Sequence, residues 1–543
     1  MAASAGRLVV IIAPPPTPNG DLHVGHLAGP YLNGDIYARY LRASGRNVLY
    51  ATGTDDSQTY VVATARKLRT TPDELASRCW HDIKLTLEAM GIAVDGYAPF
   101  DDRYRRATLD FLAPLHAAGK FRLRRIRLPY SPRAGEFLME GLVEGECPVC
   151  LTVSRGGLCE TCGHPNVFDE LLNPRSTVDR SDELTMREAT VLVLPIEEYR
   201  SQLTAYYDDR APRWRPHIAQ LAREVLDRPL PDFPITYPYH WGIPAPFPET
   251  PGQVINAWVE GMPASMYCTA YAAEQVGMPF AADDELWRSE QDPEIVYFLG
   301  FDNAYFWGVT HLSLLLAHDG RYAVPDTIVC NEFYELENEK FSTSKGHVVW
   351  GRDLLLEVPR DLVRFYLALT CPEHQRTNFG RAALLKVSSE RLIDPWNRLV
   401  WAFGDAVSAL DLDEQRLPVP EDAAARAAIM VERFRTCYRL STFSTTRAAD
   451  TIVNQLARLE ARAQTLPRDR RSGERAVAAL FHELVALTAC CAPILIDLAD
   501  EVRERTGEPL TLRAPTGAVE TRVVRFPALD LEPTARPAVA AVT

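Results

Sequence analysis

Two histidines three residues apart, His23 and His26, close the segment Pro16-Thr17-Pro18-Asn19-Gly20-Asp21-Leu22-His23-Val24-Gly25-His26. The segment follows an apolar run of strand character and opens a helical pattern, so both imidazoles fall on one face of a first helical turn. Gly25 between them removes a side chain where a ligand can approach closely. The start of a helix also offers unpaired N–H groups and positive potential, which suit a polyphosphate. Two nearby histidines alone more often mark a capped turn or a metal pair. Strand, proline-glycine turn and histidine pair together favour nucleotide binding.

A second cluster, Glu339-Lys340-Phe341-Ser342-Thr343-Ser344-Lys345-Gly346, stands on a loop after a late strand. Lysines and hydroxyls around a glycine wrap a phosphate chain and offset charge building on a leaving pyrophosphate. In isolation the same residues read as a solvated charged turn. A third signal is the pair of doublets Cys147-Pro148-Val149-Cys150 and, after eight residues, Cys159-Glu160-Thr161-Cys162. Four thiolates so paired complete a tetrahedral zinc shell, and a closed shell leaves no open position, so the zinc is structural. Disulfides or inert thiols are the alternatives. The remaining seven of the 11 cysteines are scattered, which reads as reduced, mostly buried thiols.

The elements that must position these groups form an alternating pattern. Residues 8–12 are an apolar β-branched run, 26–41 a helical pattern, and 47–51 a second buried strand. Thr71, Pro72, Asp73 and Glu74 open a further helix with a cap, a first-turn proline and early acids. Such alternation implies a parallel sheet with helices on its faces. Residues 118–235 break the rhythm, which returns with strands at 295–299 and 327–330 and a helix from Ala304. The expected order is a first α/β half (1–117), an insertion carrying the cysteines (118–235) and a second α/β half (236–330). A linking region with the second cluster (331–385), a helical bundle (386–510) and a poorly ordered tail (511–543) follow. In the bundle, Val477, Leu480, Phe481, Leu484 and Leu487 make an amphipathic stripe.

The chain's 543 residues are 47% hydrophobic and 24% charged, a globular composition long enough for two to four domains. No uninterrupted apolar run is long enough to span a membrane, and residues 1–13 lack secretory character. The expectation is a cytoplasmic protein with no membrane partner. The net charge of -14 argues against indiscriminate nucleic-acid binding but leaves room for a local basic surface. Two candidates are Lys120, Arg122, Arg124, Arg125 and Arg127, and Arg458, Arg462, Arg468, Arg470, Arg471 and Arg475. Solvated helix faces explain these basic runs equally well.

His23-Val24-Gly25-His26 and Lys340-Phe341-Ser342-Thr343-Ser344 together resemble the two signatures of class I aminoacyl-tRNA synthetases. Gly53-Thr54-Asp55-Asp56, Trp258-Val259-Glu260 and Gly300-Phe301-Asp302 look like the methionyl branch's Gly-Thr-Asp-Glu, Trp-Leu-Asp and Gly-Lys-Asp. The resemblance to the methionyl-tRNA synthetase family runs from about residue 7 to about residue 505. It implies a Rossmann-like parallel-sheet domain split by a zinc-containing connective insertion and followed by an α-helical bundle. It also implies an amino acid activated with ATP to an aminoacyl-adenylate and passed to tRNA, with Mg2+ accompanying the ATP. By resemblance His23, His26, Lys340 and Lys345 act on the phosphates, and Gly25, Gly300, Asp302, Ser342 and Ser344 hold the ATP. Ala13, Asp55, Trp258, Gly261, Trp307 and His311 would line the amino-acid site, with Asp55 on the ammonium. The family commonly carries a zinc knuckle in its insertion, which supports zinc at Cys147, Cys150, Cys159 and Cys162.

The resemblance breaks at the side-chain pocket and in the bundle. Before the Asn-Gly turn Pro15-Pro16-Thr17 replaces Leu-Pro-Tyr; Gly261, Met262 and Ser265 replace alanine, proline and tyrosine. Trp307 replaces a histidine and His311 a tryptophan. Losing tyrosine and histidine removes groups that recognise a thioether, so a related amino acid is an expectation beside methionine. Asn397-Arg398 fits the family's anticodon-reading helix, whereas Trp401, Asp405 and residues 455–460 do not. Two further readings are a paralogue serving another amino acid or a small-molecule or peptide acceptor, and a non-catalytic tRNA-binding regulator. Intact His23, His26, Lys340, Asp55 and Asp302 weigh against the regulator. A monomer is the default expectation.

Overall fold

A computed structural model describes residues 6–166, 170–341, 346–512 and 520–532. Two compact units divide the chain: residues 1–21, 48–85 and 93–332 in one, and 22–47, 86–92 and 333–543 in the other. Among the described residues no helix is long and apolar enough to cross a membrane.

The first unit is built on five parallel strands in the order Thr327–Asn331, Glu294–Gly300, Val9–Ile12, Val48–Thr52, Gly96–Tyr97. Val9–Ile12 and Val48–Thr52 are buried throughout, as continuous apolar runs in a sheet covered on both faces must be. The strands at 8–12, 47–51, 295–299 and 327–330 are all present within a residue or two. Between the halves lie an antiparallel sheet centred on Arg122–Ser131 and Thr185–Leu194 and a three-stranded sheet of Leu172–Ser176, Val143–Glu146 and Val153–Arg155. A two-stranded ribbon, Gly157–Leu158 with Pro165–Asn166, carries the second cysteine doublet. The helix Pro72–Ala89 opens on a capping box: the Glu74 N–H donates to the Thr71 hydroxyl and the Thr71 N–H to Glu74, both at 3.2 Å.

In the second unit the expected helix at 26–41 starts earlier and is interrupted. It begins at Val24, passes through a π-helical turn at Leu27–Tyr31 that contains Pro30, and resumes as Leu32–Ala43. The proline has no N–H for the regular ladder, and the wider turn absorbs it. Arg364, fully buried, ties three distant segments of this unit together. Its guanidinium donates to Asp35 Oδ2 at 2.6 Å, to the Met90 carbonyl at 3.1 Å, and to the Pro493 and Ile494 carbonyls at 2.8 and 2.9 Å. The stripe Val477, Leu480, Phe481, Leu484 and Leu487 is buried on the helix Arg470–Cys491, as the periodicity predicts.

One expectation is corrected and one open alternative is narrowed. Residues 520–532 of the tail are ordered: Glu520–Arg522 pairs with Arg416–Pro418, Phe526 packs on Trp396, Phe403 and Phe481, and the Trp396 indole donates to the Pro527 carbonyl at 2.8 Å. A three-residue strand and a single aromatic anchor are too short to show as periodicity; residues 513–519 and 533–543 lie outside the described residues. Arg458 and Arg462, read as a possible RNA surface, instead join Arg426 around the buried carboxylate of Glu483. A buried carboxylate requires such pairing, so those arginines serve the bundle.

Replacing Arg364 by methionine leaves Asp35 and several carbonyls buried with fewer donors. The variant Arg364→Met is expected to lose roughly 3–5 kcal/mol of unfolding free energy, read from urea denaturation followed by far-UV circular dichroism; a loss below about 1 kcal/mol contradicts this role.

Candidate active site

In the second unit, two sequence-distant clusters meet. His23 is the N-cap of the short helix Val24–His26, and its Nδ1 accepts the His26 N–H at 3.3 Å. The capped-turn alternative is therefore part of the answer. The two imidazoles stack with centroids 3.7 Å apart, and His23 stacks on Phe341 at 4.7 Å. Two backbone hydrogen bonds, Val24 N–H to Val349 O at 3.0 Å and Gly351 N–H to Leu22 O at 2.9 Å, zip the flanking segments together. Gly25 has a more local reason than ligand approach: a Cβ there would lie 2.9 Å from Phe341 Cδ2. Its missing side chain admits the loop.

Lys340 ends the short ladder of Glu339–Lys340 against Tyr334–Leu336, with its ammonium 5.5 Å from the centre of the Phe333 ring. His26 keeps an exposed edge, yet desolvation by the surrounding protein lowers its pKa to about 4, helped by the Lys340 charge. Burial, then His26 and Lys340, also depress His23. Both imidazoles are thus neutral near pH 7 and offer N–H donors, while Lys340 supplies the positive charge. Ser342, Thr343, Ser344 and Lys345 lie outside the described residues.

In the first unit the remaining candidates gather at the carboxyl ends of the parallel strands, where ligands of open α/β sheets bind. Ala13, fully buried, follows Val9–Ile12. Asp55 lies just beyond Val48–Thr52, with its N–H on the Pro16 carbonyl at 3.2 Å. Asp55 Oδ2 accepts Gln58 Nε2 at 2.9 Å, whereas Oδ1 is buried with no hydrogen bond among the described residues. Burial raises its pKa to about 7 against the Gln58 hydrogen bond, with Asp56 adding repulsion. Gly300 and Asp302 follow Glu294–Gly300; a Cβ on Gly300 would lie 2.5 Å from Asp302 Oδ1, so only glycine lets the carboxyl fold back there. Burial raises Asp302 as well.

Trp258, Gly261, Trp307 and His311 form one wall. The Trp258 ring stacks on Phe306 at 3.8 Å, and its indole donates to Glu140 Oε2 at 2.7 Å. His311 Nε2 donates to the Trp258 carbonyl at 2.7 Å, and its ring packs on Trp307 at 4.8 Å. Glu140 is a residue the sequence reading missed. It sits in the insertion, 118 residues from its tryptophan, in the left-handed region at φ 45°, and burial raises its pKa to about 8. Neither periodicity nor a motif marks such a position; the unusual backbone is visible only in the fold.

The four knuckle thiols converge. All the Sγ atoms of Cys147, Cys150, Cys159 and Cys162 lie within 4.8 Å of one another, with Cys147–Cys162 at 3.8 Å and Cys150–Cys159 at 3.6 Å. A tetrahedron with metal–sulfur bonds of about 2.3 Å has edges of about 3.8 Å, so the cluster fits a zinc ion. The other seven cysteines are buried free thiols, as expected.

Comparison with known proteins agrees with this architecture. The family model "tRNA synthetases class I (M)" matches residues 9–401. A methionine–tRNA ligase from Chlorobaculum tepidum is 33% identical over 379 residues, 67% of this chain and 53% of that protein. One from Salinibacter ruber is 33% identical over 392 residues, 69% of this chain and 54% of its own length. The chain thus spans about half the length of these curated relatives. The structure of Mycobacterium tuberculosis methionyl-tRNA synthetase in complex with methionyl-adenylate superposes with a TM-score of 0.75, covering 97% of this chain and 99% of that one at 20% identity, a likeness of fold. With most of its length matched and both signature clusters present, the chain belongs to the class I tRNA synthetase (M) family.

Proposed function

We propose that the chain is an ATP-dependent aminoacyl-tRNA ligase that activates methionine or a related amino acid and transfers it to tRNA. The observation that carries this reading is the meeting of His23 and His26 with the Lys340–Phe341 loop, over 300 residues away in sequence. An amino-acid carboxylate oxygen attacks the α-phosphorus of ATP; the Pα–O–Pβ bond breaks and pyrophosphate leaves. A tRNA ribose hydroxyl then attacks the acyl carbon, giving the ester and AMP. Neutral His23 and His26 donate hydrogen bonds to phosphate oxygens, and Lys340 offsets charge on the departing pyrophosphate. Lys345, Ser342 and Ser344 extend that grip, Gly25 admits the Phe341 loop beside the histidines, Gly300 lets the Asp302 carboxyl fold back, and Asp302 accepts from the ribose. The free Oδ1 of Asp55 takes the substrate ammonium. Cys147, Cys150, Cys159 and Cys162 would hold a structural zinc that cross-links the knuckle away from the reacting atoms.

A second reading, an amino acid other than methionine, has its own observation. A Cβ on Gly261 would lie 2.8 Å from His311 Cε1, so this glycine and this histidine come as a pair. With Nε2 bound to a carbonyl and the pKa near 4, His311 keeps a buried Nδ1 acceptor with no partner among the described residues. His311 thus brings an acceptor to a position where the family motif has tryptophan.

Amino-acid-dependent pyrophosphate exchange tests the activation. His26→Ala and Lys340→Ala are each expected to slow it by roughly a hundredfold with circular dichroism unchanged; unaltered exchange in both refutes the site. Because Asp55 titrates near pH 7, it is protonated below that value and cannot pair with an ammonium. The KM for the amino acid should therefore rise about tenfold per unit as pH falls below about 7, whereas a level profile from about pH 5.5 to 8 excludes Asp55 as the anchor. Metal analysis of reduced protein should find about one zinc per chain, lost when Cys147 and Cys162 are both changed to serine.

A further inference from the structure

The cysteine knuckle meets the turn that carries Asp302 at the Phe301 side chain. It occupies the middle position of Gly300-Phe301-Asp302, where the family motif has lysine, and it is only 2% exposed. Two groups from the inserted segment clamp its ring. Gly163, directly after Cys162, closes the second doublet's turn with its N–H on the Cys159 carbonyl at 2.8 Å, and its φ is +74°. A Cβ on Gly163 would lie 2.9 Å from both Leu221 Cδ2 and Phe301 Cζ and 3.0 Å from Phe301 Cε1, so the knuckle's backbone rests on Leu221 and on the ring edge. On the ring face, the His217 imidazole stacks at 3.8 Å and 17°.

His217 is itself held. Its Nδ1 donates to Glu332 Oε1 at 2.6 Å, and the neighbouring Arg215 donates to the Cys330 carbonyl at 2.9 Å. Both acceptors lie at the carboxyl end of Thr327–Asn331, the strand beside Glu294–Gly300. The clamp is thus anchored to the sheet on one side and to the knuckle on the other. A lysine at 301 would have to remove its ammonium from this apolar slot.

We propose that Phe301 is a positioning residue through which the metal-loaded knuckle fixes the Asp302 turn, so that metal occupancy of the knuckle sets the affinity for ATP. The proposal rests on the reading of Asp302 as a nucleotide ligand. Loss of the metal frees the turn at Gly163, releases one side of the ring and lets the Asp302 turn shift, while the parallel sheet stays intact.

The test is calorimetric titration of the full chain with ATP and magnesium, paired with zinc analysis. Phe301→Lys should retain one zinc per chain yet bind ATP about tenfold more weakly. Phe301→Leu, which keeps apolar bulk, should lie between the two and serves where the lysine variant fails to fold. Stripping zinc from the unaltered chain with a chelator should weaken ATP to a similar extent. Stripping it from Phe301→Lys should add little, a non-additivity that a merely structural role for Phe301 would not give. Equal weakening by metal removal in both proteins, or unchanged ATP affinity in both variants, overturns the proposal. Amino-acid-dependent exchange, measured alongside, separates the two readings: exchange without coupling sinks only the role of Phe301, coupling without exchange sinks only amino-acid activation, and absence of ATP binding sinks both.

Discussion

A single buried guanidinium holds the histidine-bearing unit together. Arg364 meets Asp35 from the first histidine-bearing segment, Met90 from a short middle segment, and Pro493 and Ile494 from the helical end. Those segments are far apart in the chain, and Arg364 bonds all three. A fully buried arginine is tolerated only when its donors are satisfied, and here an ionised partner and three carbonyls satisfy them. The consequence reaches the site: the helix that follows His23 and His26 contains Asp35, so the position of the imidazoles depends on this join.

Charge is distributed with economy around that frame. The histidines are made neutral by desolvation and by a neighbouring ammonium, so the positive charge resides on Lys340 alone among the described members of the two clusters. On the sheet, Asp55, Glu140 and Asp302 are pushed towards protonation by burial. Carboxyls kept in that condition by desolvation gain most from a cationic or hydrogen-bonding ligand, because the ligand restores what burial removed. Such groups remain destabilising in the empty protein, the usual condition of a binding site.

Legibility in the sequence followed the range of the forces involved. The buried strands, the Thr71–Glu74 cap, the bundle stripe and the cysteine doublets are local patterns, and all were readable from spacing. The two phosphate clusters were readable as motifs, although the reason for Gly25 was not: its neighbour Phe341 is more than 300 residues away. Glu140 and His217 escaped because their partners, Trp258 and Phe301, meet them only through long-range packing. The arginines of the bundle were ambiguous for the same reason. A charged residue on a helix face looks alike whether it faces water or a buried acid, and only Glu483 distinguishes the two.

The contact between Gly261 and His311 restricts how this pocket can change. The imidazole fills the space that any side-chain carbon at 261 would need, so the two positions cannot drift independently. A methyl at 261 has to be absent before, or vanish together with, the arrival of the ring in its present pose. The order of those two replacements is therefore constrained by sterics, and in laboratory reversion the ring at 311 has to change before, or together with, the return of a methyl at 261.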